Sequence, residues 1–582
     1  MKKIILFCFS LFTISSSLIA QNWLWGNEAS VSVNGVGDVL NANHPVSADA
    51  AGNAYITGWF ENGVTFGSHT LNTNSIGAYF VKYSSAGNVL WAQQSITAST
   101  ACMAQGISTA SDAAGNSFFA GIFQDTVSFG AFTLREYSPS YYYMLGYGDA
   151  FLVKYGPAGN VIWAKQANLL NINSIIIMGS TATDAKGNLY EAGEFYDTVS
   201  FGTFTLTGNS GNAYLTKYSP NGNVIWARQT ISASAASGAS GTLTTDAAGN
   251  SYETGVFGDT VSFGAFTLIN PTALSDVFIA KYDSGGNVLW AKQGLLASSA
   301  SMAQGISVAV DGQGNSYIGG IFQDTLYLGA FTLISNTPAS NFIAKYDHNG
   351  NVIWAKQIKI LDNNGWTISS LAADTLKRGG CYFMLNTPNP GTSPYKLQID
   401  STLFSLSSAY TSATAFIQVD SGGNVVCGNM FTEGDEDDGD GVGCSKSGAY
   451  VYITGDLTAQ TIFGNDTLPT GNDVPFIARW NPCGSFNNEG INEASPSTNS
   501  VSLFPNPNNG LFTIQVKSEE LITKSIVEVY NMLGEKVYSE TLNIKHLTLS
   551  IDLGTKSAGV YLYRVLNETG SLLGEGKFII QK

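Results

Sequence analysis

Carboxylates are the residues of this sequence whose types and spacing could do chemistry. One phrase, Asp-x-x-Gly-Asn, recurs at Asp49, Asp112, Asp184, Asp246, Asp311 and Asp420. A recurrent carboxylate could ligate calcium or move protons. Yet its place before Gly-Asn is that of a turn, where Asp accepts backbone N–H groups and Gly adopts the left-handed conformation. Positions repeated through an assembly do not all serve one reaction, so the turn role suffices. A glycoside-cleaving enzyme would need two acids across a cleft; unique carboxylates in non-repeating positions would be its signature, and Glu191, Glu194 and Glu253 are the few candidates. Glu191 and Glu253 flank strand positions held by small residues or Thr in sister units, which reads as edge or surface variation. The densest acidic stretch is Glu433-Gly-Asp435-Glu436-Asp437-Asp438-Gly439-Asp440-Gly441. Such charges repel unless they are solvated or neutralised by a hard cation, so Asp435, Asp437, Asp438 and Asp440 are candidate Ca2+ ligands. The EF-hand spacing and its bidentate Glu are missing, and a disordered acidic loop is the alternative.

The remaining chemistry is sparse. Of the four histidines, His44, His69, His348 and His546, none pairs with a second His at metal-ligand spacing. His348 occupies a turn position that is Ser or Pro in sister units. No nucleophile elbow, His-Glu-x-x-His or phosphate-cradling loop is present. The expectation is no catalytic residue and, beyond calcium at the acidic stretch, no cofactor.

The elements that position these residues are repeats. Asp-x-x-Gly-Asn leads into an aromatic or apolar strand. Then comes Phe/Leu-Gly-x-x-Thr-Leu, as at Phe129-Gly130, and then Lys-Tyr, a Gly-Asn turn and a strand ending in Trp-Ala. The tryptophans are Trp91, Trp163, Trp226, Trp290 and Trp354. The first five Asp starts lie 63, 72, 62 and 65 residues apart, and Asp311 to Asp420 spans 109. A degraded unit fits in that gap, with Leu371–Asp374 and Cys381–Phe383 as its first phrase and Tyr395–Leu406 as its second. Asp420 then opens a seventh unit that closes at Arg479-Trp480. About four strands per unit is the strand count of a propeller blade, and a blade alone leaves both faces unburied. Asn22-Trp23-Leu24-Trp25 matches the Trp-bearing strand without its preceding phrases, as a strand clasping a ring would. The expected fold is all-β: a seven-bladed β-propeller over 21–486, a linker over 487–499 and a small β-sandwich over 500–582. An open solenoid or a row of sandwiches is the competing geometry. The phrases resemble the bacterial SBBP repeats, and that resemblance implies a propeller while saying little about its ligand.

Composition bounds the setting. The chain has 582 residues, 12% of them charged, with a formal net charge of −16. This argues against a nucleic-acid partner, which needs a basic surface. Residues 1–20 read as a signal peptide, with Lys2 and Lys3 before an apolar stretch and a small-residue exit at Ala20. No later segment offers a membrane span. Five cysteines remain, an odd set without metal spacing, and Cys427 could bridge Cys444 around the acidic insertion.

After the polar linker the repeat disappears. Pro505-Asn506-Pro507-Asn-Asn-Gly510 precedes a strand, Asn531-Met-Leu-Gly534-Glu marks a hairpin, and Ala558-Gly559-Val560-Tyr561 starts another strand before the terminal Lys582. These landmarks resemble the type A C-terminal sorting domain of the type IX secretion system of Bacteroidota. The resemblance implies Pro505, Asn506, Pro507, Gly510, Gly534, Gly559, Tyr561 and Lys582 as the sorting motif and the secretion machinery as partner. It also implies cleavage near the linker, with the cargo released or attached at the surface. The function read here is an exported, non-enzymatic cargo that binds or scaffolds an extracellular protein or glycan. An extracellular polysaccharide-acting enzyme and a structural adhesin are the alternatives.

Overall fold

The computed structural model describes residues 23–31, 36–37, 45–100, 102–136, 148–170, 174–232, 240–270, 274–298, 301–335, 337–362, 364–375, 379–387, 394–406, 412–431, 441–444, 450–457, 461–463, 466–468, 474–482, 501–506, 508–516, 524–531, 535–543, 548–567 and 572–581. The chain divides into two compact units, Met1–Gly484 and Ser485–Lys582. The signal segment, the linker and the acidic insertion with Asp435, Asp437, Asp438 and Asp440 lie outside the described residues. Among the described residues no helix is long and apolar enough to cross a membrane.

In the first unit one antiparallel wiring recurs. The first sheet contains Val46–Ala48, Ala54–Phe60, Gly77–Tyr83 and Val89–Gln94, and the second Met103–Ser111, Ser117–Gln124, Asp149–Tyr155 and Val161–Gln166. The third has Ile175–Thr183, Leu189–Phe201, Phe204–Tyr218 and Val224–Gln229. The fourth has Ser240–Thr245, Ser251–Phe257, Asp276–Tyr282 and Val288–Gln293. The fifth has Ala303–Val310, Ser316–Phe322, Ser340–Tyr346 and Val352–Ile360, and the sixth Thr367–Ala373, Cys381–Asn386, Thr414–Val419 and Val425–Phe431. The seventh joins Gly441–Cys444, Val451–Leu457 and Val474–Trp480 to Trp23–Glu28 from the chain start. The expected clasping strand is therefore present, with Trp23 opposite Trp480 and Glu28 opposite Phe476.

Local chemistry explains each turn. Asp49 Oδ1 accepts the N–H groups of Ala51 and Asn53 at 3.0 and 2.9 Å, Oδ2 accepts from Asn53 Nδ2 at 2.8 Å, and Gly52 has φ +77°. The same bonds recur at Asp112, Asp184, Asp246 and Asp311.

Two assignments from the repeat phrases are corrected. Asp420 does not open the seventh unit. Its turn joins Thr414–Val419 to Val425–Phe431 and is the second turn of the sixth sheet. Tyr395–Ile399 and Thr402–Leu406 form an outer hairpin paired with Val352–Ile360 of the fifth sheet, not the last two strands of a blade. The phrase misleads because Asp347 and Asp283 build the same Asp-x-Gly/Asn-Gly-Asn turn at the second position, so the turn code alone does not say which hairpin it closes.

Apolar clusters fill the seams between consecutive sheets. Tyr252, Ile279 and Trp290 of the fourth sheet pack with Ile318, Phe342 and Tyr346 of the fifth, and Tyr452 and Ile477 of the seventh pack with Ile56 and Tyr79 of the first. Each innermost strand lies against the innermost strand of the next sheet, and Gly441–Cys444 lies against Val46–Ala48.

The second unit pairs a sheet of Val501–Phe504, Leu511–Val516 and Thr548–Asp552 with one of Lys536–Asn543, Lys524–Asn531, Gly559–Asn567 and Leu572–Ile580. Alternation puts Phe512, Ile514 and Ile551 of the first sheet against Val527, Val529, Val565 and Phe578 of the second.

Candidate functional site

Three places bring chemistry-bearing side chains together. The first is a clamp repeated from sheet to sheet. Tyr55 OH lies 2.9 Å from Asp49 Oδ2 and 3.0 Å from the Gly115 carbonyl in the first turn of the second sheet, sharing its proton between them. Lys82 Nζ lies 5.1 Å from the Tyr55 ring centre and donates to the Pro157 carbonyl in the second turn of that sheet, as does Trp91 Nε1 at 3.1 Å. The same Lys and Trp pair reaches Pro220, Ser284, His348 and Ser421 in the sheets that follow. Burial pushes the Lys82, Lys154, Lys217 and Lys281 ammonium groups down, while a nearby Asp opposes it. His348 thus contributes its backbone carbonyl to a clamp.

The lysine's role escaped the sequence reading, although a lysine at one register in an apolar strand of every early unit was its signal. The last clamp joins the chain ends. Tyr452 OH donates to the Gly52 carbonyl at 2.6 Å, and Arg479 Nη1 and Trp25 Nε1 donate to the Ser85 carbonyl at 2.6 and 3.1 Å.

The second place is a cavity of about 190 Å³ where the innermost strands of six sheets converge. Its walls mix hydroxyls, among them Ser47, Thr109, Ser111, Thr183 and Thr245, with apolar side chains such as Val46, Leu243, Val308 and Leu371. Thr183 Oγ1 donates to the Ser111 carbonyl and Thr245 Oγ1 to the Thr183 carbonyl, so the hydroxyls tie strand to strand. Among the described residues no carboxylate lines it.

Glu191 and Glu253 are elsewhere, and both are 1% exposed rather than at an edge or surface. They occupy the strand position that Ile56, Phe119 and Ile318 fill in other sheets. Glu191 accepts from Tyr214 OH and Tyr218 OH at 2.8 and 2.7 Å; Glu253 accepts from Tyr282 OH at 3.1 Å, and its Oε1 has no hydrogen-bond partner among the described residues. Burial pushes each carboxyl up to about 7. Their tyrosines belong to different seams, second–third for Glu191 and third–fourth for Glu253. Half-buried Glu194 is raised as well, by burial. The sequence reading missed this burial because a lone Glu in a strand is indistinguishable from a solvent-facing one until the neighbouring sheet is in place. Among the described residues no group of three His, Cys, Asp or Glu is arranged to hold a metal ion. His44 and His546 lie outside the described residues.

The third place is a clasp in the second unit. Asn506 Oδ1 accepts the Ile579 N–H at 2.9 Å while its Nδ2 donates to the Lys577 carbonyl at 3.2 Å, an amide side chain pairing as a strand would. Asn508 continues this. Its N–H donates to the Ile579 carbonyl and its carbonyl accepts from Gln581. Gly510 has φ +106°, and a Cβ there would lie 2.6 Å from Gly554 Cα, so only glycine fits. Tyr561 stacks on Phe578 at 5.7 Å and donates to the Ser557 carbonyl at 2.8 Å. Pro505 and Gly559 flank these contacts, whereas Pro507, Gly534 and Lys582 lie outside the described residues. Beside them, Lys536 and Arg564 bond Glu528 at 2.9 and 2.7 Å, and with Tyr530 they hold its carboxyl down at about 2. Neither Asn508 nor this ion cluster was singled out from sequence; pairing across strands, not spacing, creates both.

Residues 502–581 match the family described as the secretion system C-terminal sorting domain. This region is accordingly a type IX secretion sorting domain, the part that engages the type IX machinery, and the protein is secreted or attached at the cell surface with C-terminal cleavage. An uncharacterized WD repeat-containing protein of Acanthamoeba polyphaga mimivirus is 28% identical over 237 residues, 34% of this chain and 17% of that protein. The chain thus spans well under two thirds of that relative. A solved protein of unknown function from Bacteroides caccae is 10% identical, covering 60% of this chain and 89% of its own, with a TM-score of 0.28. A fungal alcohol oxidase of the AA5 family, in complex with copper, is 13% identical, covering 96% and 99%, with a TM-score of 0.33. Scores this low carry no argument about fold or chemistry.

Proposed function

We propose, for a chain that its sorting domain marks as secreted or surface-attached type IX cargo, that the first unit is a closed seven-bladed β-propeller of SBBP type. It binds or scaffolds an extracellular protein or glycan and catalyses nothing itself. The observation that carries this reading is the clamp between chain ends: Tyr452, Arg479 and Trp25 bond the first sheet as Tyr252, Lys281 and Trp290 bond the fifth. A repeat whose last member treats the first as its next neighbour is circular, and a circular array of four-stranded sheets is a propeller. The WD-repeat name of the mimivirus relative is in keeping with that architecture. The absence of chemistry in this proposal rests on carboxylates that are already spent on turns and on two buried acids in separate seams.

Mature protein recovered from the medium or surface of a producer tests the proposal in two steps. Intact mass should give a species starting near Gln21 and ending within 487–499. A chain retaining Lys582 would remove the premise of cleavage. Glycan-array and immobilised-matrix binding should then show saturable capture, whereas turnover of a polysaccharide without stable capture would replace the binding reading by an enzymatic one.

A further inference from the structure

The two sheets of the sorting domain bury one face each against the other and turn one face each outward. On the three-stranded sheet the apolar residues that face outward are flanked by polar ones. Exposed Leu511 stands opposite Asp552 and exposed Phe504 opposite Thr513, and Thr513 Oγ1 shares a hydrogen bond with Ser550 Oγ. Scattered surface aliphatics of this kind are ordinary.

The four-stranded sheet differs. Along Gly559–Asn567 the inward residues are Tyr561, Tyr563 and Val565, and the outward ones include Val560 and Leu562, 36% and 38% exposed. Val560 stands opposite Ile579, itself 37% exposed. Leu562 stands between Tyr530 on one neighbouring strand and Lys577 on the other. Cross-strand neighbours on one face lie within contact range, so Ile579, Val560, Leu562 and Tyr530 make one continuous apolar strip. Its rim is cationic. Lys536 and Arg564 share the single carboxylate of Glu528, and Arg564 lies 5.2 Å from the Tyr530 ring centre. Lys577 is exposed and makes no ion pair among the described residues. The Asn506 clasp bonds the backbone of Lys577 and Ile579, and Asn508 pairs beside them. That stretch of strand edge is therefore covered, which leaves the face for a partner.

We infer that this strip is the surface by which the sorting domain docks on the type IX machinery, against an apolar surface rimmed with carboxylates. The inference rests on the reading of this unit as a sorting domain and deepens it by naming the face. An apolar centre inside a charged rim is the anatomy of a protein docking surface, and Tyr and Arg are typical of its anchors. The cations call for acidic groups on the partner. A second copy of this chain would instead bring like-charged rims together, which costs affinity.

The test is export of the full-length chain from a producing cell. Val560→Thr combined with Leu562→Thr removes the apolar centre while keeping residues that favour a strand. Export should fall about tenfold, and the retained chain should keep Lys582 and resist protease as the parent does. Leu511→Thr, on the other sheet, should be exported like the parent. If the paired variant is degraded, Lys577→Glu decides, because reversing this unpaired rim charge must still slow export. Export of the deciding variant at the parent's level overturns the inference. So does a parent that sediments as a dimer when the variant is a monomer, since the face would then belong to a second copy. A parent that leaves the cell with Lys582 attached removes the sorting reading itself; a cleaved parent beside an equally cleaved variant removes the docking face alone.

Discussion

Between the fourth and fifth sheets, Tyr252, Lys281 and Trp290 come from one stretch of chain and reach Gly314 and His348. Between the seventh and first, Tyr452 and Arg479 come from near the end of the unit, Trp25 from its beginning, and together they reach Gly52 and Ser85. The hydrogen bonds correspond one for one and the chain crosses both seams, since Trp23–Glu28 of the seventh sheet leads on into the first; what differs is that the seventh sheet is itself assembled from two distant segments, with no turn between Val474–Trp480 and Trp23–Glu28. Only strand pairing and packing hold these two strands together, and forming those contacts costs the entropy of bringing distant segments together. The difference teaches that a clamp residue's role follows from its position in the series of sheets, and that the seventh sheet, assembled from two distant segments, depends more heavily on each side chain.

The largest expected effect is at Trp23, which is 4% exposed and whose ring centre lies 4.6 Å from that of Trp480 and 4.9 Å from that of Phe463. Trp23→Ala should cost about 3–5 kcal/mol in denaturant unfolding, and should release the N-terminal strand to hydrogen exchange ahead of the rest. Global exchange with no early release of that strand would mean the seventh sheet is no weaker than its neighbours.

Glu253→Gln sharpens the comparison with a third kind of seam, one holding a buried acid. The carboxyl moves from its ordinary 4.5 to about 7 because burial disfavours the charge. The folded state therefore keeps a proton that the unfolded chain has released. Stability from this group is complete below pH 4.5, falls as pH rises through about 7, and changes no further above it. The stability of Glu253→Gln relative to the parent should accordingly rise by about 1.4 kcal/mol per pH unit inside that window. Urea titrations at several pH values that gave a constant difference would refute it.

Gly350→Ala and Gly87→Ala compare the two seams directly. Gly350 has φ +81° and a Cβ there would lie 2.8 Å from Trp290; Gly87 has φ +88° and its Cβ would lie 2.6 Å from Asn27 Nδ2 and 3.1 Å from Trp25. Each should cost about 1–2 kcal/mol from the left-handed backbone alone. Displacement of the indole, read from tryptophan fluorescence, should add to the loss. Stability equal to the parent's in both variants would show the backbone strain to be absent.

The smallest effects concern the tyrosine hydroxyls. Tyr252→Phe and Tyr452→Phe should each lose about 1 kcal/mol. The second sheet carries Phe118 at that position, so Phe118→Tyr should gain a comparable amount by bonding Asp112 and the following turn. A loss there would mean the seam has no room for the hydroxyl.

Much of the fold was legible because it is written in local chemistry. Asp49-x-x-Gly52-Asn53 specifies its turn through bonds within five residues, and Asn22-Trp23-Leu24-Trp25 announces the closing strand by likeness to its sisters. The sorting landmarks were legible too, since a sequence pattern is what the family shares. Less legible were the features that depend on another strand. Asp420 belongs to the second turn of the sixth sheet because of what Thr414–Val419 pairs with, and Tyr395–Leu406 joins the fifth sheet across its outer edge.

By itself, then, the sequence determined the turns, the strand periodicity, the repeat and the C-terminal sorting domain, because each rests on residues close along the chain or on a shared pattern. Only the tertiary structure decided that Glu191 and Glu253 are buried acids, that a lysine in each early sheet clamps the next, and that Asn506 pairs with residues some seventy positions away. Those roles depend on desolvation and hydrogen-bond geometry, which exist only once a second strand or sheet has excluded water from the first.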